Sequence, residues 1–137
     1  RIGFAFGARE LIKNFDKIRN HFGVNKIAQT GALVALRDEI HLREVKERVK
    51  LAKGQIEKIA IDNDLSTIKS FTNFVAVDCG KGGQYATKIL QNLIKRRVFV
   101  RMPSVEPLNR CIRVTVGEVK DLAYFADQLP VVLKETL

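Results

Sequence analysis

An arginine stands inside an otherwise apolar stretch near the end of the sequence. The stretch 111–116, Cys-Ile-Arg-Val-Thr-Val, has the alternation typical of a strand, with Arg113 on the face opposite Ile112, Val114 and Val116. A guanidinium in mid-strand needs a partner, because a charge withdrawn from water is costly unless it is paired. Arg113 therefore predicts either a bound carboxylate or phosphate, which arginine holds with two parallel hydrogen bonds, or a structural ion pair.

A second arginine ends the preceding apolar stretch. Arg101 closes the segment Val98-Phe-Val-Arg101, and alternation places Phe99 on the same face. We interpret Arg101 either as a second contact to the same anion or as a strand-end arginine whose charged head reaches water.

Two short motifs have the spacing of known sites but lack the rest of their signatures. Cys79-Gly-Lys-Gly-Gly83 precedes a predicted helix, where backbone N–H groups can bind phosphate. It has neither the Walker nor the dinucleotide-binding arrangement of glycines, so we interpret it as a tight turn. Ser66-Thr-Ile-Lys69 matches the S-x-x-K of penicillin-binding enzymes, but their other two motifs are absent, and we interpret it as a chance match.

No set of residues in the sequence forms a recognisable catalytic or metal site. His21 and His41 lie far apart, and no H-E-x-x-H or cysteine–histidine quartet occurs. Cys79 and Cys111 lack CxxC spacing, so we expect two buried thiols in a reducing compartment. We therefore predict no catalytic residue and no metal ligand in this chain.

The composition is that of a globular domain with an excess of positive charge. The 137 residues are 46% hydrophobic and 28% charged, with a formal net charge of +9. The basic residues are interleaved with acids, as in Arg43-Glu-Val-Lys-Glu-Arg48, and the run Lys95-Arg-Arg97 falls at a predicted helix end, where cations suit the helix dipole. We expect a solvated basic surface rather than a nucleic-acid interface, with no membrane span and a cytoplasmic location.

The hydrophobic patterns predict an α/β fold in which helices cover a short sheet. Strands are expected at 1–6, 74–77, 98–101 and 111–116, and helices at about 8–20, 25–36, 38–60, 84–96 and from 118 onward. Leu11, Ile12, Phe15 and Ile18 should face inward in the first helix, and Val119, Leu122 and Leu129 in the last. Pro130 should kink or end that last helix.

The helix at about 38–60 carries the clearest stripe. Leu42, Val45, Val49, Ala52, Ile56 and Ile59 recur at spacings of three and four, which predicts packing of one face against a sheet or a partner domain. The chain starts with Arg1 inside a strand-like run, so we interpret the start as a cut in a longer protein.

Three segments together resemble the C-terminal small domain of pyridoxal-phosphate (PLP) dependent class I/II aminotransferases, especially the histidinol-phosphate branch. They are Asn73-Phe-Val-Ala-Val77, Val98-Phe-Val-Arg-Met-Pro103 and Cys111-Ile-Arg-Val-Thr-Val-Gly117. The resemblance implies the small domain of fold-type I PLP enzymes, with a short, mainly antiparallel sheet. Residues 1–37 would be a remnant of the large cofactor-binding domain, and 38–137 the small domain, entered through an interdomain helix at about 38–60.

The resemblance also implies roles for individual residues. Arg113 matches the arginine that binds the substrate's acid group, Arg101 a second arginine at its anionic end, and Arg1 a contact to the cofactor phosphate. Asn73 matches the asparagine of the family's N-F pair, which we expect to be structural. The parent would be a homodimeric enzyme that uses PLP, an amino donor and a 2-oxo acid.

The family's Schiff-base lysine lies just before the position of Arg1 and is not in this sequence. We therefore expect the isolated chain to be inactive and not to bind PLP. Two alternatives stay open: a basic nucleic-acid-binding module, which a titration at two salt concentrations would reveal, and a PLP lyase or decarboxylase on the same scaffold.

Overall fold

The computed structural model describes residues 2–20 and 22–136 and divides the chain into two units, 1–44 and 45–137. In chain order the elements are α1 (Arg9–Ile18), α2 (Lys26–Arg37), α3 (Glu39–Ile61), β1 (Ser66–Ile68), β2 (Phe74–Asp78), α4 (Gly82–Lys95), a 3-10 turn (Leu108–Arg110), β3 (Cys111–Thr115) and α5 (Val119–Thr136). The predicted α/β class, with helices over a short antiparallel sheet, is confirmed.

The first unit holds α1, α2 and the first turns of α3. Asn25 caps α2 by accepting from the Ala28 N–H at 2.8 Å, and Asp38 accepts from the His41 N–H at 2.9 Å where α3 begins. None of its described residues is buried. The predicted inward face of α1 is therefore wrong, since Leu11, Phe15 and Ile18 are all exposed.

The strand predicted at 1–6 is also absent from its described part, 2–6. The side chains of Ile2, Phe4 and Phe6 in this strand-like run are all exposed. A strand is stabilised by pairing with a neighbour, and no neighbour strand bonds to these residues within the described chain.

The second unit is built on a three-stranded antiparallel sheet of order β1-β2-β3. In its register Val75 lies opposite Val114 and Val77 opposite Ile112, so one face of the sheet is apolar. That face and the buried sides of α3, α4 and α5 form one core, which includes Ile56, Ile89, Leu93, Phe125, Leu129 and Val132. The other face carries Phe74, Ala76 and Arg113, as the alternation predicts.

Three details of this unit differ from the sequence prediction. The strand expected at 98–101 is reduced to a single bridge between Arg101 and Arg113, because the backbone of Val98 instead bonds to Leu93 and closes α4. The strand β1 was not predicted, since three residues are too few for a periodic signal. Val119 is exposed rather than inward.

Pro130 lies inside α5 and does not end it. A proline in a helix interior costs about 3 kcal/mol because it removes a hydrogen bond and clashes with the preceding turn. Leu129 and Val132 flank it and are fully buried, and burial of two such side chains contributes about 1.5–3 kcal/mol each. Packing therefore outweighs the local penalty, and the helix continues to Thr136.

Candidate anion-binding site

Arg101 and Arg113 form a backbone-paired couple at the edge of the sheet. The Arg113 N–H donates to the Arg101 carbonyl at 2.6 Å, and the Arg101 N–H donates to the Arg113 carbonyl at 3.1 Å. Directly opposed residues of an antiparallel pair place their side chains on the same face. The two arginines named from the sequence are thus neighbours, with Arg101 exposed and Arg113 half-buried.

Neither guanidinium meets a carboxylate within residues 2–20 and 22–136. Two like charges directly opposite each other on a sheet repel, so the arrangement favours an anion between or beside them. Arg110 shows the contrast, since its Nε donates to Asp78 Oδ2 at 2.7 Å. That hydrogen bond raises the pKa of Arg110 above its ordinary value.

The Arg113 guanidinium lies over the ring of Phe74, with 4.6 Å from its Cζ atom to the ring centroid. Its Nε is buried and has no hydrogen-bond partner among the described residues. The terminal nitrogens are not buried in this way, so they are the donors left for a ligand. Sequence reasoning missed Phe74, because only the strand register brings its ring next to Arg113.

Small and polar residues surround the pair on the same face. Ala76 lies directly opposite Arg113, and Thr115 lies opposite Phe74 and is exposed. Asn73 holds the end of β2, since its carbonyl accepts from the Val116 N–H at 2.9 Å. This backbone contact joins Asn73 to the residue that follows β3 and leaves its side chain unassigned.

The other residues singled out from the sequence lie elsewhere. Arg1, the expected cofactor-phosphate contact, and His21 lie outside the described residues. The turn at 79–83 uses glycines in the left-handed region, with φ of 76° at both Gly80 and Gly82. Lys81 in that turn lies over the Tyr85 ring at 4.9 Å, and Lys69 lies over Phe71 at 5.2 Å.

Both cysteines are buried free thiols, as expected. Burial raises the pKa of the Cys79 thiol to about 11. Burial also raises the pKa of Cys111 above its ordinary value, with a smaller contribution from the negative charge of Asp78. Neither thiol is ionised near neutral pH, so neither is prepared to act as a nucleophile or metal ligand.

Two clefts of the second unit are lined by residues other than Arg101 and Arg113. One of about 280 Å³ lies between the 97–100 segment and α5, and another of about 500 Å³ lies between α3 and the start of α5. The described part of the chain contains no cluster of three histidine, cysteine or acidic side chains able to hold a metal. None of its helices is long and apolar enough to cross a membrane.

The family model for aminotransferase class I and II matches residues 1–129. The chain belongs to that family. A histidinol-phosphate aminotransferase of Caldicellulosiruptor saccharolyticus is 34% identical over 133 residues, which cover 97% of this chain and 36% of the relative. This chain thus spans about a third of the length of the curated relatives that it matches.

The aminotransferase fold is also found among solved structures. A histidinol-phosphate aminotransferase from Sinorhizobium meliloti, solved with pyridoxal-5'-phosphate, superposes with a TM-score of 0.88 at 42% identity, covering 91% of this chain and 34% of that one. A Burkholderia pseudomallei protein superposes with a TM-score of 0.81 at 18% identity over 96% of this chain and 39% of its own, a likeness of fold alone.

Proposed function

We propose that this chain is the substrate-recognition part of a PLP-dependent aminotransferase of the histidinol-phosphate type. In this proposal Arg113 and Arg101 hold the anionic end of the amino donor and also that of the 2-oxo acid. The single observation that supports it most is the Arg101–Arg113 pair, which starts two arginine side chains on one face of the sheet, neither with a carboxylate partner among the described residues.

The two arginines differ in exposure, and this difference gives them different tasks. Arg113 is half-buried, and its Nε is buried without a partner among the described residues, so its two terminal nitrogens are the donors that can hold a carboxylate or phosphate with parallel, charge-assisted hydrogen bonds. Arg101 is exposed and adds charge that attracts the anion. Fixing the anionic end orients the rest of a substrate. Such orientation can lower a reaction barrier by several kcal/mol.

PLP, when bound, supplies the aldehyde that accepts the amino group and the ring that withdraws electrons. The only residue of this chain that the resemblance assigns to the cofactor is Arg1, which the structure does not describe. The described residues therefore serve the substrate in this proposal. The complete enzyme is expected to act as a homodimer, and the chain alone is expected to be inactive because the resemblance places the Schiff-base lysine outside it.

The test is a set of substitutions in an intact enzyme that carries this segment. Arg113→Ala is expected to raise the KM for histidinol phosphate at least about tenfold, since a charge-assisted hydrogen bond contributes about 1.5–3 kcal/mol. Arg110→Ala is the control, because Arg110 is a neighbouring arginine whose partner is Asp78. An unchanged KM for Arg113→Ala, or an equal rise for Arg110→Ala, contradicts the proposal.

The cofactor is tested separately by borohydride reduction of the intact enzyme and peptide mapping. A pyridoxyl-lysine just before the position of Arg1 is the expected result. The absence of a labelled lysine contradicts the PLP assignment.

A further inference from the structure

Phe74 is a large aromatic residue that lies outside the hydrophobic core. It is only half-buried, and it belongs neither to the core cluster nor to the apolar residues packed against that cluster. Its ring instead covers the Arg113 guanidinium at 4.6 Å. In the strand register Phe74 lies opposite Thr115 while Arg113 lies opposite Ala76, so ring and guanidinium are diagonal neighbours on the same face.

Ala76 is what makes this diagonal contact possible. The residue directly opposite Arg113 has only a methyl group, so the long arginine side chain is free to lean toward the Phe74 ring. Arg113 Nε is buried and without a partner in the described chain. The attraction between cation and ring is therefore the one described interaction of this side chain with the protein.

The backbone of Phe74 is hydrogen-bonded by the segment that follows β1. Its carbonyl points toward the β1 side of the sheet, and the Ser70 hydroxyl donates to it in place of a strand neighbour. The Thr72 hydroxyl lies 3.4 Å from the same carbonyl. The Ser70 carbonyl in turn accepts from Lys53 Nζ of α3 at 3.0 Å, so the backbone at Phe74 is linked through Ser70 to α3.

We propose that Phe74 is a positioning residue that holds the Arg113 guanidinium ready for the substrate's anionic group, and this rests on the proposed function. The guanidinium lies over the ring, and its terminal N–H groups are the donors that remain for the ligand. An arginine held in this way loses less rotamer freedom when the anion arrives. Phe74 thus acts through Arg113 rather than on the substrate.

The test compares three variants of the intact enzyme. Phe74→Leu keeps an apolar side chain but removes the ring, and we expect the KM for histidinol phosphate to rise about threefold to tenfold with kcat changed less than about twofold. Phe74→Tyr keeps the ring and is expected to retain the parent KM. Phe71→Leu is the matched control, since its ring is 86% exposed and faces Lys69, and it should change neither constant.

Two further measurements separate positioning from general damage. In an Arg113→Ala background, Phe74→Leu should add nothing to the rise in KM, because the residue on which it acts is gone. Thermal stabilisation by inorganic phosphate, measured without turnover, should be smaller for Phe74→Leu than for the parent and for Phe74→Tyr. If Phe74→Leu does not fold, Phe74→Met takes its place.

The outcomes divide cleanly between the two proposals. If Arg113→Ala raises KM and Phe74→Leu does not, the positioning role is wrong and the proposed function stands. An equal rise for Phe74→Leu and Phe74→Tyr, or a full additional rise in the Arg113→Ala background, also overturns the positioning role. If Arg113→Ala itself leaves KM unchanged, the proposed function fails and this inference fails with it.

Discussion

Arg101 and Arg113 face each other through two backbone hydrogen bonds, with N···O distances of 3.1 and 2.6 Å. These bonds are made by the backbone, so the sheet itself sets the spacing of the two residues and the face on which both side chains start. The same geometry that would hold an anion in the proposed site also brings two like charges together, and these repel when no anion is bound.

Arg101→Gln is expected to stabilise the 137-residue chain in the absence of added anions. It removes one of two opposed like charges, a gain of up to about 1 kcal/mol in the free energy of unfolding. Inorganic phosphate should then stabilise the variant less than the parent. Urea unfolding with and without phosphate measures both effects.

The control for this charge change is Arg97→Gln, which removes an exposed cation outside the pair. If Arg97→Gln gives the same gain, relief of the overall charge of +9 explains the effect, and the pair has no special role.

Ile89 and Ile94 offer a matched test of the core in α4. Ile89 is fully buried, whereas Ile94 is 44% exposed. Ile89→Ala should lower the free energy of unfolding by about 2–5 kcal/mol, through lost burial and the cavity left behind. Ile94→Ala should cost no more than about 1 kcal/mol. Equal costs in denaturant unfolding would mean that the helix packs on a different face.

The thiol of Cys79 should be unreactive toward a disulfide reagent at pH 8 until the chain is unfolded. Burial raises its pKa from an ordinary 9.0 to about 11, so almost no thiolate exists at that pH. Both Cys79 and Cys111 should react once the chain is denatured. Rapid labelling of the native chain is the contrary result.

The same shift predicts a loss of stability in alkali. The folded-state pKa of Cys79 lies above the unfolded value, so its contribution is fully present below pH 9.0 and is lost as the pH rises toward about 11. The loss is on the order of 2 kcal/mol. Comparison with Cys79→Ala isolates it from other titrating groups, because the difference between the two proteins should shrink from pH 8 to pH 10.5.

Patterns that repeat within one element were sufficient to predict most of the second unit. The strand at Phe74 and the alternation around Arg113 appear as expected, whereas only Ala52 and Ile56 of the predicted α3 stripe are buried and Leu42 is exposed. These signals are local, and each is long enough to distinguish a period of 3.6 from a period of 2. The likeness around Asn73, Arg101 and Arg113 named the family, which the comparisons confirm.

What the sequence could not supply was the pairing between segments. The 98–101 segment has the residues of a strand, yet only Arg101 bonds to β3, and Phe99 is left 80% exposed. Phe125 was not expected inside, although it is buried in α5 in place of the predicted Val119. In both cases the strand pairing or the buried face depends on which other element packs against the segment. The sequence of the segment alone does not encode that.

The pairing of Arg101 with Arg113 has a consequence for how such enzymes can diversify. The two arginines are joined through the sheet, while the chain between them leaves as a loop whose residues 104–107 are exposed. Insertions and deletions there leave the backbone pairing intact, because the two hydrogen bonds are made by Arg101 and Arg113 themselves. Under the proposed function, a change of substrate would therefore need changes only in this loop, while the backbone pairing of the two arginines stays the same.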